Sequence, residues 1–179
     1  VFVNSMSDLF HEDVPDTFVD QVICTIREAP QHTYQVLTKR PQRMREYFER
    51  LQPMASDLPQ LWLGTSAENQ STLDERLPHL LATPAAVRFL SLEPLLGPIK
   101  MPLPCKNSVF WSGISWIIVG GESGPKRRPC EIEWIADIVA QCKAANVPVF
   151  VKQDSALHSG QWGRIPDDLR IREFPQVTA

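Results

Sequence analysis

Trp116-Ile117-Ile118-Val119-Gly120-Gly121-Glu122-Ser123-Gly124 sets an unbroken apolar run against a glycine-rich polar end. A run that is apolar at every position, rather than at alternate ones, belongs to a strand covered on both faces, as in a parallel sheet. Five further short apolar runs recur, several of them almost continuous: Val1–Asn4, Tyr34–Thr38, Leu61–Thr65, Val87–Leu92 and Val149–Lys152. Their centres lie about 30 residues apart, the length of one strand–helix–strand unit. The period is architectural, because no repeated sequence accompanies it.

Helical patterns fill most of the intervals. Val14, Phe18, Val22 and Ile26 recur every four residues, with Asp13 placed to cap and Pro15 tolerated in the first turn. After the second run, Pro41 opens a segment in which Met44, Tyr47, Phe48 and Leu51 share a face, while Arg43, Arg45, Glu46 and Glu49 point to water. Ser71 to Arg76 reads as helix, and Pro78 is expected to start a separate turn. The last helix is expected over Glu131 to Ala145, on an inner face of Ile132, Ile135, Ile138 and Val139. Pro94, Pro98, Pro102 and Pro104 make the stretch up to Ser115 a long loop or insertion.

The fold class is therefore α/β, a TIM-like parallel (β/α) barrel or partial barrel of about six units. An open doubly wound sheet is the alternative that periodicity leaves standing. With 179 residues and 43% hydrophobic content, one domain with a substantial core is expected. It covers residues 1–153, and residues 154–179 form a loop and packing extension.

Bulk charge narrows the partners. A formal charge of −3 gives no global field to draw nucleic acid or an anionic membrane, so any polyanion site has to be local. No apolar run approaches the roughly 20 residues of a membrane span, and Val1 to Asp8 lacks the features of a signal peptide. The default compartment is the cytoplasm. Cys24, Cys105, Cys130 and Cys142 show no metal-site spacing, and Cys24 and Cys142 fall in apolar helical patterns, where a thiol acts as a small buried hydrophobe.

In both architectures the working residues sit just beyond the carboxyl ends of the strands. Those ends are polar in every unit. The candidate ligand-binding residues are Asn4, Ser5, Ser7 and Asp8; Lys39 and Arg40; Ser66 and Glu68; Glu93; Gly120, Gly121, Glu122 and Ser123; and Lys152 with Gln153. Carboxylates from Asp8, Glu68, Glu93 and Glu122 are expected to face one mouth with Lys39 and Lys152, a mixture suited to a zwitterionic or phosphorylated small molecule. Neighbouring charges there are expected to shift pKa values toward acid–base use. Each set taken singly also fits helix capping or surface solvation.

The glycines at 120 and 121 either let the backbone approach a ligand or make a tight turn off the sheet; they form neither a P-loop nor a dinucleotide fingerprint. Lys126, Arg127 and Arg128 offer phosphate contacts or a solvated surface. His11, His32, His79 and His158 have no zincin spacing, no Gly-x-Ser-x-Gly elbow is present, and a helix-start hydrogen bond is the simplest role for His11. No catalytic residue is assigned.

Val3-Asn4-Ser5-Met6-Ser7-Asp8-Leu9-Phe10-His11, Gln35 to Pro41, Ser91-Leu92-Glu93-Pro94-Leu95-Leu96-Gly97-Pro98 and Val119 to Gly124, taken in order, resemble the phage-associated, radical-SAM-like three-cysteine-motif family. The likeness runs from Val1 to about Gln153 and implies no assigned reaction. It implies an upstream cysteine segment, holding a [4Fe-4S] cluster that cleaves S-adenosylmethionine in the full-length parent. The present chain, which opens on a strand without Met, is then expected to start within that parent and to lack both cluster and radical chemistry alone. Strand-end residues would bind adenosylmethionine and substrate. Two other classes stay open: a non-radical barrel enzyme acting on a phosphorylated or nucleotide-like substrate, and a non-catalytic ligand-binding module. Oligomeric state is not legible.

Overall fold

A computed structural model describes residues 1–51, 57–102 and 109–176. Six strands alternate with helices: β1 (Phe2–Val3), α1 (Asp16–Glu28), β2 (Tyr34–Thr38), α2 (Pro41–Arg50), β3 (Leu61–Ser66), α3 (Gln70–Ala82), β4 (Val87–Leu92), α4 (Val109–Gly113), β5 (Trp116–Val119), α5 (Ile132–Ala145) and β6 (Val149–Val151). All neighbours pair in parallel, and the sheet order is β1-β2-β3-β4-β5-β6. A doubly wound sheet reverses its strand order at a switch point. No reversal occurs here, so the sheet is wound in one direction, as in a partial barrel.

Right-handed crossovers in unbroken order put every helix on the same face. The side chains agree. Val36, Leu63, Leu90, Ile117, Val119 and Val151 share one core with Ile23 and Ile26 of α1, Met44 and Phe48 of α2, Leu73 of α3 and Ile138 of α5. Alternate strand residues point the other way, where Trp62, Val87, Phe89, Trp116 and Ile118 form a second cluster with Leu37 and Phe150 packed against it. The strands are thus apolar on both faces over most of their length because two different cores claim alternate positions.

Trp116 is the hub of the inner face. Its ring centroid lies 5.9 Å from Trp62, 5.8 Å from Phe89, 6.0 Å from Phe150 and 5.4 Å from Phe174. Aromatic pairs of this kind add about 0.5–1.5 kcal/mol each beyond their buried area. Phe174 reaches this cluster because the tail folds back along β6. Val151 N donates to Ile171 O at 2.9 Å, Glu173 N donates to Val149 O at 3.0 Å, and Trp116 Nε1 donates to Glu173 O at 2.9 Å. Residues 171–173 therefore cover the β6 edge in antiparallel fashion, and the sheet ends at β1 on its other side.

Several local expectations need correction. Helix α1 begins at Asp16 with Pro15 as its N-cap and no side-chain cap, so Asp13 does not cap it. Its buried residues are Val19, Ile23 and Ile26, while Phe18 and Cys24 are exposed; the inward stripe follows the 3.6-residue period rather than a strict spacing of four. Helix α3 runs straight through Pro78. The proline deletes one backbone donor, but Asn69 and Thr72 form a reciprocal capping box, and burial of Leu73 and Leu80 on either side holds the segment as one helix. The proline-rich stretch is irregular through Pro102 and then forms the short α4; Pro104 and Cys105 lie outside the described residues.

Gly64 on β3 allows the inner cluster to close. A Cβ there would sit 2.5 Å from Cζ of Phe89, whose ring is fully buried and has nowhere to retreat. Gly64→Ala is expected to cost about 1–3 kcal/mol in urea unfolding, the usual penalty for overpacking. Phe89→Leu in the same chain should return part of that loss, a coupling absent if the glycine matters only for backbone freedom.

Candidate functional site

Parallel pairing in unbroken order brings all six carboxyl ends to one rim. Ser66 pairs with Ser91, Leu92 with Val119, and Val119 with Val151, so the segments that leave β3 to β6 start side by side. Glu93 and Glu122 accordingly follow neighbouring parallel strands at the same end. Their partners differ. Glu93 accepts from Lys152 Nζ at 2.9 Å, whereas Glu122 takes three hydrogen bonds from Arg128, from its backbone N at 2.7 Å, Nε at 2.9 Å and Nη2 at 2.8 Å.

Most rim charges are committed to holding loops. Asp8 Oδ1 accepts from Phe10 N at 3.0 Å and Thr38 Oγ1 at 2.7 Å, while Oδ2 accepts from Lys39 N at 3.0 Å and Arg40 Nη1 at 3.2 Å. That carboxylate ties the loop after β1 to the end of β2. Glu68 is clamped between Lys39 at 2.8 Å and Arg76 at 3.2 Å. Gln153 is buried, donates to Gly121 O, and accepts from Ser159 Oγ and Gly160 N. Neighbouring Asp154, only 2% exposed, accepts from Arg164 N, Nε and Nη2.

These bonds fix the direction of the pKa shifts. Burial pushes the Asp8 carboxyl up, but the hydrogen bonds from Thr38, Lys39 and Phe10 and the Arg40 charge outweigh it, so Asp8 ends below its ordinary value. Glu68 shows the same balance, burial opposed and exceeded by Lys39 and Arg76. The side-chain and backbone hydrogen bonds of Arg128 bring Glu122 down to about 2. The expectation of a shift toward acid–base use is therefore corrected for these three: all are held more firmly ionised, because each has donors at hydrogen-bond distance.

Two depressions that share lining residues lie on the inner face and the adjoining rim. One is an open groove of about 530 Å³ on the inner face, lined by aromatic and apolar groups from Phe2, Leu37, Trp116, Ile118, Phe150 and Phe174. Ser5, Gln35 and Ser91 add neutral polar groups, and Glu93, Lys152 and Arg172 are its charged residues. The other is a rim cleft of about 430 Å³ touching Asn4, Ser5, Ser7 and Asp8 on one side and Lys39, Arg40 and Ser66 on the other. Phe2, Ser5 and Leu37 belong to both.

Ten of the fifteen candidates from the sequence are thus at these depressions or in their ion pairs once Glu68 is counted with Lys39. Gly120, Gly121, Ser123 and Gln153 serve the junction between β5 and the tail instead, while Glu122 holds Arg128 in the loop after β5 and lies within electrostatic reach of Lys39. A Cβ on Gly121 would lie 2.4 Å from Ser155 N, so its glycine is explained by close approach to the tail rather than to a ligand. Ser123 bridges to Ala156. Arg128 is taken by Glu122, and Arg127 donates to the carbonyls of Ser155 and Gly124. His11 Nδ1 accepts from Asp13 N, a local turn contact.

Arg172 and the aromatic wall were missed. The wall had a signal in Trp62, Phe89, Trp116, Ile118 and Phe150, which alternate along their strands once the register is known. Arg172 had none, since its position depends on the tail folding back.

Residues 1–173 match the sequence model of a family described as protein of unknown function (DUF5131). The chain belongs to this family. The DUF5131 match spans all six strands and the tail through Glu173. No curated protein and no solved structure matches the chain. Among the described residues, no helix is long and apolar enough to cross a membrane.

The lowered carboxyl pKa values give a defined acid response. A group whose folded pKa is depressed contributes stability in full above its unfolded value, and loses it as pH falls through the folded value. With Glu122 at about 2 against 4.5 unfolded, its contribution should fade between those two pH values. Melting temperature is expected to be flat above about pH 5 and to fall below it. Asp8→Ala should cost about 1–3 kcal/mol at pH 7 and flatten that acid slope; an Asp8→Ala slope equal to the wild type would mean the carboxylate does not pin β1 to β2.

Proposed function

We propose that this chain is the ligand-binding partial barrel of a radical S-adenosylmethionine-type enzyme, and that its inner groove holds a nucleoside. The observation that carries this reading is the combination of flat aromatic walls with one carboxylate, Glu93, at the same groove. The exposed rings of Phe2 and Phe174 and the half-buried Phe150 line the groove beside the buried Trp116, giving a planar base an apolar surface to lie against. Glu93 already accepts from Lys152 and has further lone pairs for the vicinal hydroxyls of a ribose. Small-molecule sites of this kind are mostly apolar, with a few polar groups that set orientation.

Cluster ligation does not fit the described residues. Among them no three His, Cys, Asp or Glu side chains are placed to hold a metal ion. Burial pushes the thiols of Cys130 and Cys142 up to about 12, which disfavours the thiolates that iron would need, and Cys24 lies exposed on α1. The cysteines of a cluster would come from elsewhere, and no step assigned to this chain runs through one. What these residues supply is binding and orientation: firmly ionised rim carboxylates hold loops, and the groove holds the ligand.

Isothermal titration with S-adenosylmethionine and with adenosine tests the reading. Both ligands should bind the wild-type chain, and Glu93→Gln should weaken both by about 1.5 kcal/mol, the loss of a charge-assisted hydrogen bond. The variant's melting temperature should stay close to that of the wild type, since the Lys152 side chain is 41% exposed and its pair is worth little to folding. No binding by the wild type, or equal affinity in a folded Glu93→Gln chain, would exclude the nucleoside groove.

A further inference from the structure

Arg172 differs from the other arginines. Among the described residues, the remaining eleven each donate to or pair with an oxygen or sulfur atom, from Arg27 with Cys24 Sγ to Arg170 with Asp167. Arg172 meets only ring faces, its guanidinium carbon 4.6 Å from the Trp162 centroid and 5.4 Å from that of Phe150. Contact with ring faces holds the guanidinium in place and leaves its in-plane N–H groups free.

The location of those free donors is fixed by the backbone. Arg172 bridges Phe150 in antiparallel fashion, so both side chains emerge on the inner face. Lys152 lies two residues beyond Phe150 on the same face, a diagonal neighbour of Arg172 at about 7–8 Å between backbones. Both cations line the groove, where Glu93 is their only opposing charge. The groove therefore carries +1 from its side chains in a chain whose formal charge is −3.

We infer that Arg172 and Lys152 form an anion-binding arm that reads a negatively charged group on the sugar side of a groove-bound nucleoside. The inference rests on the nucleoside reading and deepens it by naming the ligand class. Glu93 keeps Lys152 oriented along one side, while Arg172 presents two parallel N–H donors suited to bidentate contact with a carboxylate or phosphate. A carboxylate and a phosphate are equivalent to such a fork. The two sources are an amino-acid extension, as in S-adenosylmethionine, and a nucleotide phosphate.

Four probes separate these terms: adenosine and 5′-methylthioadenosine, which lack the anion, against AMP and S-adenosylmethionine, which carry it. The wild-type chain should bind at least one anion-bearing probe roughly 10-fold or more tighter than the neutral pair, as loss of a charge-assisted bond implies. Arg172→Gln should reduce that preference by a larger factor than it changes adenosine affinity, Lys152 keeping the remainder; Arg172→Lys should restore part of it. Thermal melting of both variants checks that the tail still covers β6, which it does through backbone bonds. A preference for AMP alone identifies phosphate, and one for S-adenosylmethionine alone identifies carboxylate. Equal affinity for neutral and anionic probes in the wild type, or an undiminished preference in folded Arg172→Gln, would overturn the arm while sparing the nucleoside groove. Failure of all four to bind overturns both.

Discussion

The contact of Trp116 with the returning tail is the interaction on which the rest of the inner face depends. A sheet wound in one direction has helices on only one side, so its other face has to be closed by its own side chains. The indole meets rings from β3, β4, β6 and the tail, and its Nε1 proton goes to the carbonyl of Glu173. One side chain thus joins three strands to the segment that shields the β6 edge. The aromatic groove exists because this closure stops short of filling the space between β1 and β6.

Charges on the rim play a different part from the one their sequence suggests. Polar strand ends look like a reservoir of free catalytic groups, yet Asp8, Glu68, Glu122 and Asp154 all have cationic or amide donors in direct contact. Such carboxylates act as fixed struts between loops. What they leave for a ligand is a smaller set, Glu93, Lys152 and Arg172, around an apolar space.

The strands were legible because apolar runs ending in polar clusters are local signals; Tyr34–Thr38, Val87–Leu92 and Trp116–Val119 begin and end where the sequence indicates. Helix faces were harder. In α1 the spacing of four set Val14, Val22 and Ile26 against the core as found, but it also included Phe18, which is exposed, and passed over Val19 and Ile23; only the position of the sheet fixes the width of the buried stripe. Pro78 misled for a related reason, since capping and burial outweigh one missing hydrogen bond. At the site, residue type located the rim but not the partners. Whether a given Glu is free or clamped depends on Arg76 or Arg128 arriving from another segment, and spacing along the chain carries no such information.

The tail's pairing with β6 also sets an order of events during synthesis. Residues 171–174 are translated after all six strands and after Ile165, the tail's fully buried contribution to the helix-covered core, so a growing chain can assemble most of that core while the β6 edge is still bare. An exposed edge is a template for pairing with another chain. On the ribosome, therefore, the interval between emergence of Val151 and emergence of Phe174 is when neighbouring copies are most prone to stick, and slow translation over that stretch would lengthen the exposure.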